Sequence, residues 1–276
     1  MQAGNVLMPD RENISVILNI GDEYAMPAAV AIRSAAENLP HPHHLQVFVL
    51  EHAVTDVNKR RVEDSLLGFD VSINWIAADL PDNTFTLGSH PGGAVATYLK
   101  LLIGERLPET VTKVIYLDAD VVVCKCLLDL WNTPLNGMLL GAVADSHWQC
   151  DRMARLPTPD ANVFADGAYF NAGVMVIDLA AWRAADVYNQ AVQCANKFRD
   201  YLYIVDQDLL NCVVKGDYVR LDPSWNLLEF YGTAYHKYWK MVAPAMYSPD
   251  ILDRANQSPA IVHYSGFPKP WESPYA

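Results

Sequence analysis

The chain has 276 residues, of which 51% are hydrophobic and 19% are charged, so it can fill a sizeable core and is not globally disordered. Lys and Arg total 20 against 32 Asp and Glu, which gives a formal net charge of −12. Nucleic acids require a basic face on their partner, so this acidic composition argues against nucleic-acid binding.

The first third of the chain predicts alternating strands and helices. The apolar, β-branched run 14–20 predicts a buried strand, and small and apolar residues at helical spacing over 24–38 predict a helix. A strand over 45–50, an amphipathic helix over 54–67 and a strand over 71–76 follow. This β-α-β-α-β order is typical of a parallel sheet with helices on its faces.

The remaining predicted elements are a helix over 94–105, a strand over 113–117, strands over 138–144 and 172–177, helices over 180–198 and 207–214, and a strand over 260–264. Two regions, 146–166 and 223–259, are rich in Trp, Tyr and Pro and are predicted to be irregular loops. No repeat or linker divides the chain. We therefore expect a single domain over 1–276, with its core at about 14–271.

Compartment and metal content are constrained by targeting signals and cysteines. No secretory signal and no apolar run long enough to span a membrane are visible. The five cysteines are odd in number and scattered, so a disulfide framework is not expected, and Cys124-Lys125-Cys126 is spaced too tightly for a usual zinc pair. We expect a cytoplasmic protein.

The strand predicted at 113–117 ends in two carboxylates, Asp118 and Asp120. Ligands of open parallel sheets bind outside the carboxyl ends of the strands. Residues at i and i+2 of an extended chain point to one side, so this pair can share a hard cation. Such a cation would let an acidic protein hold a diphosphate. An acidic turn that faces water is the plainer interpretation of the same pair.

A phosphatase is a second interpretation of this segment. An Asp-x-Asp after an apolar strand also resembles the haloacid-dehalogenase-like phosphatases, in which Asp118 would attack phosphorus and Asp120 would handle the leaving-group proton. That motif normally opens its fold, whereas several predicted strands and helices precede it here.

Three further segments accompany the Asp-x-Asp pair in a fixed order. They are Phe170-Asn171-Ala172-Gly173-Val174, Asp206-Gln207-Asp208 and His263-Tyr264-Ser265-Gly266-Phe267-Pro268-Lys269-Pro270-Trp271. Together the four segments resemble glycosyltransferase family 8 over about 14–271. The resemblance implies the Rossmann-like GT-A fold, a mixed, mainly parallel α/β sheet flanked by helices. It also implies transfer from a nucleotide sugar with retention of configuration.

The resemblance implies a set of site residues. A Mn²⁺ ion, or alternatively Mg²⁺, would be held by Asp118, Asp120 and His263. The nucleotide and diphosphate would contact Asn19, Ile20, Asp22, Tyr24, Ala119, Gly266 and Lys269. The donor sugar would contact Lys100, Asn171, Ala172 and Asp206, and the acceptor Asp145 and Ser265.

Gln207 would lie beside the anomeric carbon. An amide is a poor nucleophile, so we expect the acceptor to attack on the face of the leaving diphosphate, with Asp208 as a reserve nucleophile. Two positions depart from the family pattern. Gly21 stands where an acidic residue often reads uracil, and Lys100 replaces an Arg and so lacks its planar fork.

The expected function is therefore a metal-dependent retaining hexosyltransferase that uses UDP-glucose or UDP-galactose and acts on a hydroxyl of a saccharide or glycolipid. The alternatives are the phosphatase, a glycogenin-like protein that glucosylates itself, and a sugar-nucleotide-binding protein without activity. No nucleic-acid partner or transmembrane segment is expected, and a peripheral membrane contact stays open.

Overall fold

Apolar strands build the centre of the molecule. The computed structural model describes residues 12–80, 95–145, 147–228, 246–266 and 268–272. The strands are β1 (Asn13–Gly21), β2 (His44–His52), β3 (Val71–Ala77), β4 (Lys113–Leu117), β5 (Val121–Val123), β6 (Leu140–Ala144), β7 (Phe170–Asp178), β8 (Val219–Arg220), β9 (Leu227–Leu228) and β10 (Ile261–His263).

The helices pack around these strands and are mostly short. They are α1 (Ala25–Glu37), α2 (Asp56–Ser65), α3 (Val95–Tyr98), α4 (Ile103–Arg106), α5 (Leu128–Trp131), α6 (His147–Met153), α7 (Asn162–Ala165), α8 (Leu179–Ala184), α9 (Val187–Phe198), α10 (Val205–Val214) and α11 (Pro249–Gln257). Short 3₁₀ helices span Asp22–Tyr24, Leu99–Leu102, Pro159–Ala161, Arg199–Tyr201 and Pro223–Asn226. No helix in the described ranges is long and apolar enough to cross a bilayer.

The main sheet has seven strands in the order β3-β2-β1-β4-β7-β6-β8. β1 pairs in parallel with β2 and β4, β2 with β3, and β6 with β8. Only β7 runs against its neighbours, β4 and β6. The predicted fold class, a mixed and mainly parallel α/β sheet flanked by helices, is confirmed.

Alternate side chains along the central strands pack into two apolar layers, one on each face of the sheet. In β1, Val16 and Leu18 pack in the layer with Ala28 of α1, whereas Ile17 packs in the opposite layer with Trp182 of α8. Strands buried on both faces read as nearly continuous apolar runs. This is why β1 and β4 were visible in the sequence.

A second sheet carries one of the site residues. It has three strands in the order β5-β10-β9, with β10 antiparallel to β5 and parallel to β9. In this pairing His263 lies opposite Val121. The end of β10 therefore meets the turn between β4 and β5, which carries Asp118 and Asp120.

The single helix predicted over 180–198 was wrong. α8 ends at Ala184 and α9 begins at Val187, and Asp186 between them has φ of 49°. Asp tolerates this left-handed conformation better than most residues do, which interrupts the helix while both segments keep their apolar faces.

The helix predicted over 94–105 is also interrupted, because a 3₁₀ helix separates α3 from α4. The region 146–166, predicted to be irregular, instead contains α6, a 3₁₀ helix and α7. Helices of one or two turns are too short to show a clear helical period in a sequence. In the other region predicted to be irregular, 229–245 lie outside the described residues, and the rest contains β9 and α11.

Substitutions of two leucines should distinguish the core from the surface. Leu18 is fully buried in β1, whereas Leu67 is 78% exposed. We expect Leu18→Ala to lower the free energy of unfolding by about 2–5 kcal/mol, and Leu67→Ala to change it by less than about 0.5 kcal/mol. Urea denaturation followed by circular dichroism measures both. Equal losses would contradict the assignment of Leu18 to the core.

Candidate active site

Three potential metal ligands converge at the carboxyl end of β4. Asp118, Asp120 and His263 each offer one ligand atom, and these atoms lie within 4.8 Å of one another. Nε2 of His263 is 3.6 Å from Oδ2 of Asp118 and 3.3 Å from Oδ1 of Asp120. Two carboxylates and one imidazole form a mixed oxygen and nitrogen set that suits a divalent transition ion.

A glycine makes room for this cluster. A Cβ atom at Gly173 would lie 2.7 Å from Nδ1 of His263 and 2.9 Å from Oδ2 of Asp118. Both neighbours are members of the candidate metal set, so neither can move without changing the set. The Asn171-Ala172-Gly173 segment therefore needs a glycine at its third position, because any side chain there would collide with the cluster.

A buried lysine joins the cluster to a second carboxylate. Nζ of Lys100 lies 3.1 Å from Oδ1 of Asp118 and 2.5 Å from Oδ2 of Asp206, and Lys100 is only 3% exposed. Burial acts to lower the pKa of Lys100, but the two carboxylates outweigh it and raise the pKa above its ordinary value. Burial raises the pKa of Asp206, against the effect of Lys100. Lys100 thus stays charged.

A second lysine reaches the cluster from the end of the described chain. Nζ of Lys269 donates hydrogen bonds to Oδ2 of Asp120 at 2.6 Å and to the Tyr264 carbonyl at 2.7 Å. Burial opposes ionisation of Asp120, but His263 and Lys269 hold the pKa of its carboxyl well below the usual range. Positive charge therefore faces both carboxylates of the cluster.

Buried amides extend the site towards α10. Nδ2 of Asn171 and Nε2 of Gln207 both donate to Oδ2 of Asp145, at 3.0 and 2.9 Å. Gln207 also donates to the Tyr169 hydroxyl at 3.0 Å, and its Oε1 accepts from the backbone N–H of Ala172 at 3.1 Å. Both polar atoms of the Gln207 side chain are engaged, so its orientation is set.

Asp208 is enclosed by donors and has no exposed surface. Its Oδ1 accepts from the Tyr169 hydroxyl at 2.6 Å and is paired with the Arg152 guanidinium. Its Oδ2 accepts from the backbone N–H groups of Tyr203 and Ile204, at 2.6 and 2.9 Å. These contacts favour a structural role for Asp208 at the start of α10 over the role of reserve nucleophile.

The residues after β1 surround the same end of the sheet. Oδ1 of Asp22 accepts from Thr55 and Asn58, so this carboxylate is engaged at the start of α2. Tyr24 packs edge-on against Trp271, with ring centroids 6.0 Å apart. Burial, followed by the charge of Asp120, raises the pKa of the Tyr24 phenol to about 12, so the ring stays neutral.

Comparisons with known proteins bear directly on this arrangement. The sequence model described as glycosyl transferase family 8 matches residues 15–274. The chain belongs to glycosyl transferase family 8. Membership makes it a glycosyltransferase and contradicts the phosphatase alternative, in which Asp118 would attack phosphorus.

Individual known proteins match most of the chain. General stress protein A of Bacillus subtilis is 26% identical over 267 residues, which are 95% of this chain and 88% of that protein. Lipopolysaccharide 1,3-galactosyltransferase of Salmonella typhimurium is 25% identical over 274 residues, which are 96% of this chain and 74% of that protein. The crystal structure of galactosyltransferase LgtC with donor and acceptor sugar analogues is 27% identical, with a TM-score of 0.74, over 94% of this chain and 89% of that one.

Most of the residues predicted for the family 8 site meet at one end of the sheet. The structure links Asp118, Asp120, His263, Lys100, Asp206 and Lys269 through ion pairs, and Asp145, Asn171, Ala172 and Gln207 through hydrogen bonds. Ile20, Ala119 and Gly266 are buried, and Ser265 is half-buried, with no hydrogen-bond partner for its Oγ among the described residues.

Asn19, near the end of β1, is linked to Asp118 through the hydroxyl of Tyr116. Its Oδ1 is 2.6 Å from the Tyr116 hydroxyl, which is also 2.5 Å from Oδ1 of Asp118. One phenolic proton serves two acceptors here. This contact ties the end of β1 to the first residue of the Asp-x-Asp pair.

Sequence reasoning missed several residues that shape the site. They are Tyr116, Arg152, Tyr169, Gly173 and Asn226. Gly173 stood inside a recognised segment, so a close approach at that glycine was the available signal. Tyr116 and Tyr169 lie next to recognised segments, whereas Arg152 and Asn226 contact the site from more distant parts of the chain. No local pattern marks any of these four residues.

Gly173→Ala tests the space around the cluster. The new methyl group would displace His263 or Asp118, so we expect the affinity for Mn²⁺ to fall about tenfold or more, since about 1.4 kcal/mol of strain is a factor of ten. Titration followed by the electron paramagnetic resonance signal of free Mn²⁺ measures this. Gly141→Ala is the control, because its nearest neighbour is the flexible end of Leu221 at 3.2 Å. Unchanged affinity in Gly173→Ala would contradict the steric argument.

Asp208→Asn separates a structural carboxylate from a nucleophile. Loss of the negative charge leaves Arg152 without its partner, so we expect the free energy of unfolding to fall by about 3 kcal/mol. Thermal and urea denaturation measure the change. A variant as stable as the wild type but devoid of transferase activity would instead favour the nucleophilic role.

Proposed function

We propose that this glycosyltransferase moves a glucosyl or galactosyl group from a UDP-sugar to a hydroxyl of a saccharide or glycolipid, with retention of configuration and with a divalent cation, Mn²⁺ or Mg²⁺. The observation that carries the proposal is the cluster of Asp118, Asp120 and His263. A chain of hydrogen bonds joins His263 of this cluster to Gln207, through Asn226, Asn171 and Asp145. A cation site and a polar sugar site thus lie side by side.

The fit of a cation rests on the donor set and on the space beside it. Asp118, Asp120 and His263 would hold the ion, and Gly173 leaves the room that their side chains need. When bound, the ion would neutralise the diphosphate and stabilise its negative charge as it leaves. Lys269 would also stabilise the negative charge of the diphosphate, because its ammonium group lies beside Asp120 in the same cluster.

The polar residues towards α10 would orient the donor sugar. Asn171, Asp206 and Lys100 offer acceptors and donors of the kind that sugar hydroxyls bind, and all three are buried. Gln207 has both amide atoms engaged and would stand beside the anomeric carbon as a fixed dipole. It supports a partial positive charge there and forms no bond to carbon.

The transfer step then needs no protein nucleophile. The acceptor oxygen forms a bond to the anomeric carbon as the bond to the diphosphate oxygen breaks, on the same face of the sugar. The acceptor proton passes to a diphosphate oxygen. The enclosed position of Asp208 supports this route over a covalent glycosyl-enzyme.

Recognition of the base involves a position where the chain departs from the family pattern. Gly21 has no carboxylate to read uracil, and the nearby Asp22 is engaged at α2, so the backbone beside Asn19 and Ile20 and the ring of Tyr24 would recognise the base.

We also propose a cytoplasmic location. All five cysteines are free thiols, as is typical of proteins in a reducing compartment.

Release of nucleoside diphosphate from UDP-, GDP- and ADP-sugars, with Mn²⁺ and with chelator, tests the function without a known acceptor. We expect slow, metal-dependent release of UDP from UDP-glucose or UDP-galactose. Asp120→Asn should reduce release about 100-fold or more, because several kcal/mol of charge stabilisation depend on the cation.

The matched control for this experiment is Asp64→Asn on the exposed surface of α2, which should release UDP at the wild-type rate. Circular dichroism checks that both variants fold. Release that persists in chelator, or full activity in Asp120→Asn, would refute the metal-dependent mechanism. Release of GDP or ADP in place of UDP would refute the choice of donor.

A further inference from the structure

We propose that Asn226 is a positioning residue that sets the tautomer and orientation of His263, and so the affinity of the cation site. The inference rests on the metal dependence in the proposed function. Asn226 lies in the 3₁₀ helix before β9 and is 1% exposed. Its Oδ1 is 2.9 Å from Nδ1 of His263, and its Nδ2 donates to Oδ1 of Asn171 at 2.8 Å.

The direction of these hydrogen bonds follows from groups that have only one role. The backbone N–H of Gly173 can only donate, and it lies 2.9 Å from the Asn171 amide oxygen. The carboxylate of Asp145 accepts at the other end of the same amide, 3.0 Å from Nδ2. The orientation of the Asn171 side chain is therefore set at both ends.

The orientation of Asn171 determines that of Asn226. Oδ1 of Asn171 faces Asn226, so Asn226 must present its NH₂ group there and its oxygen to His263. Nδ1 of His263 must then carry the proton and donate it. In the neutral ring this leaves the lone pair on Nε2, the atom that faces Asp118 and Asp120.

This arrangement is what a histidine ligand needs. A metal-binding imidazole keeps a lone pair on one nitrogen and donates from the other to a neighbouring acceptor, which holds the ring in place. The opposite neutral tautomer would direct an N–H bond into the position of the cation. Asn226 disfavours that tautomer and also ties the metal ligand to Asn171 of the sugar site.

The experiment compares Mn²⁺ affinity in variants that keep or lose the acceptor for His263. Asn226→Leu removes it at similar volume, and Asn226→Ala removes it with a smaller side chain. We expect both to weaken Mn²⁺ binding by about 10–100-fold, the range found for such supporting residues. Asn226→Asp keeps an acceptor for Nδ1 but loses the hydrogen bond to Oδ1 of Asn171, so it should bind Mn²⁺ less tightly than the wild type and at least about threefold more tightly than Asn226→Leu.

Asn211→Leu is the control for loss of a buried amide. Asn211 is fully buried and bonds to the backbone of Phe170 and Gln207, with no contact to His263 among its hydrogen bonds. We expect it to bind Mn²⁺ as the wild type does. Affinity is read from the paramagnetic resonance signal of free Mn²⁺, and circular dichroism reports whether each variant is folded.

The outcomes separate this inference from the function on which it rests. A wild type that binds no Mn²⁺ would refute the metal assignment and the inference together. A wild type that binds Mn²⁺, with folded Asn226→Leu or Asn226→Ala binding equally well, would refute the role of Asn226 alone. Equal losses in Asn226→Asp and Asn226→Leu would likewise refute it, because the acceptor for Nδ1 of His263 would then make no difference to Mn²⁺ binding.

Discussion

Two carboxylates held against one imidazole are the constraint on which the site depends. Asp118 and Asp120 repel each other, and the fold offsets this with Lys100 on one side and Lys269 on the other. Each lysine is almost fully buried, so its charge is poorly screened by water. The two lysines, with Lys100 shared between Asp118 and Asp206, therefore reduce the repulsion between the carboxylates within the protein.

The position of the cluster follows from the way in which the two sheets meet. β4 delivers the Asp-x-Asp pair at its carboxyl end, and β10 brings His263 beside it by pairing with β5. β7 runs antiparallel to β4, so the start of β7 places Asn171 and Gly173 at the same end. Gly173 serves the site twice, because it leaves space for the cluster and its N–H orients Asn171.

Much of the architecture could be predicted because burial on both faces leaves a strong signal. The apolar runs of β1 and β4 were recognised with bounds close to those observed. The break at Asp186 and the short α6 and α7 were missed, since neither a single left-handed residue nor a helix of one or two turns changes the period of a longer segment. Short elements are stabilised by tertiary packing more than by local propensity.

The sequence by itself determined the family, the fold class and the set of charged residues that the site collects, because these depend on local patterns and on motifs in a fixed order. Only the tertiary structure decided how those residues are used. It showed that Asp208 is enclosed by Arg152 and Tyr169, and that Asn226 contacts His263. Hydrogen bonds and charge pairs join residues far apart in the chain, so their direction and partners exist only once the fold has formed.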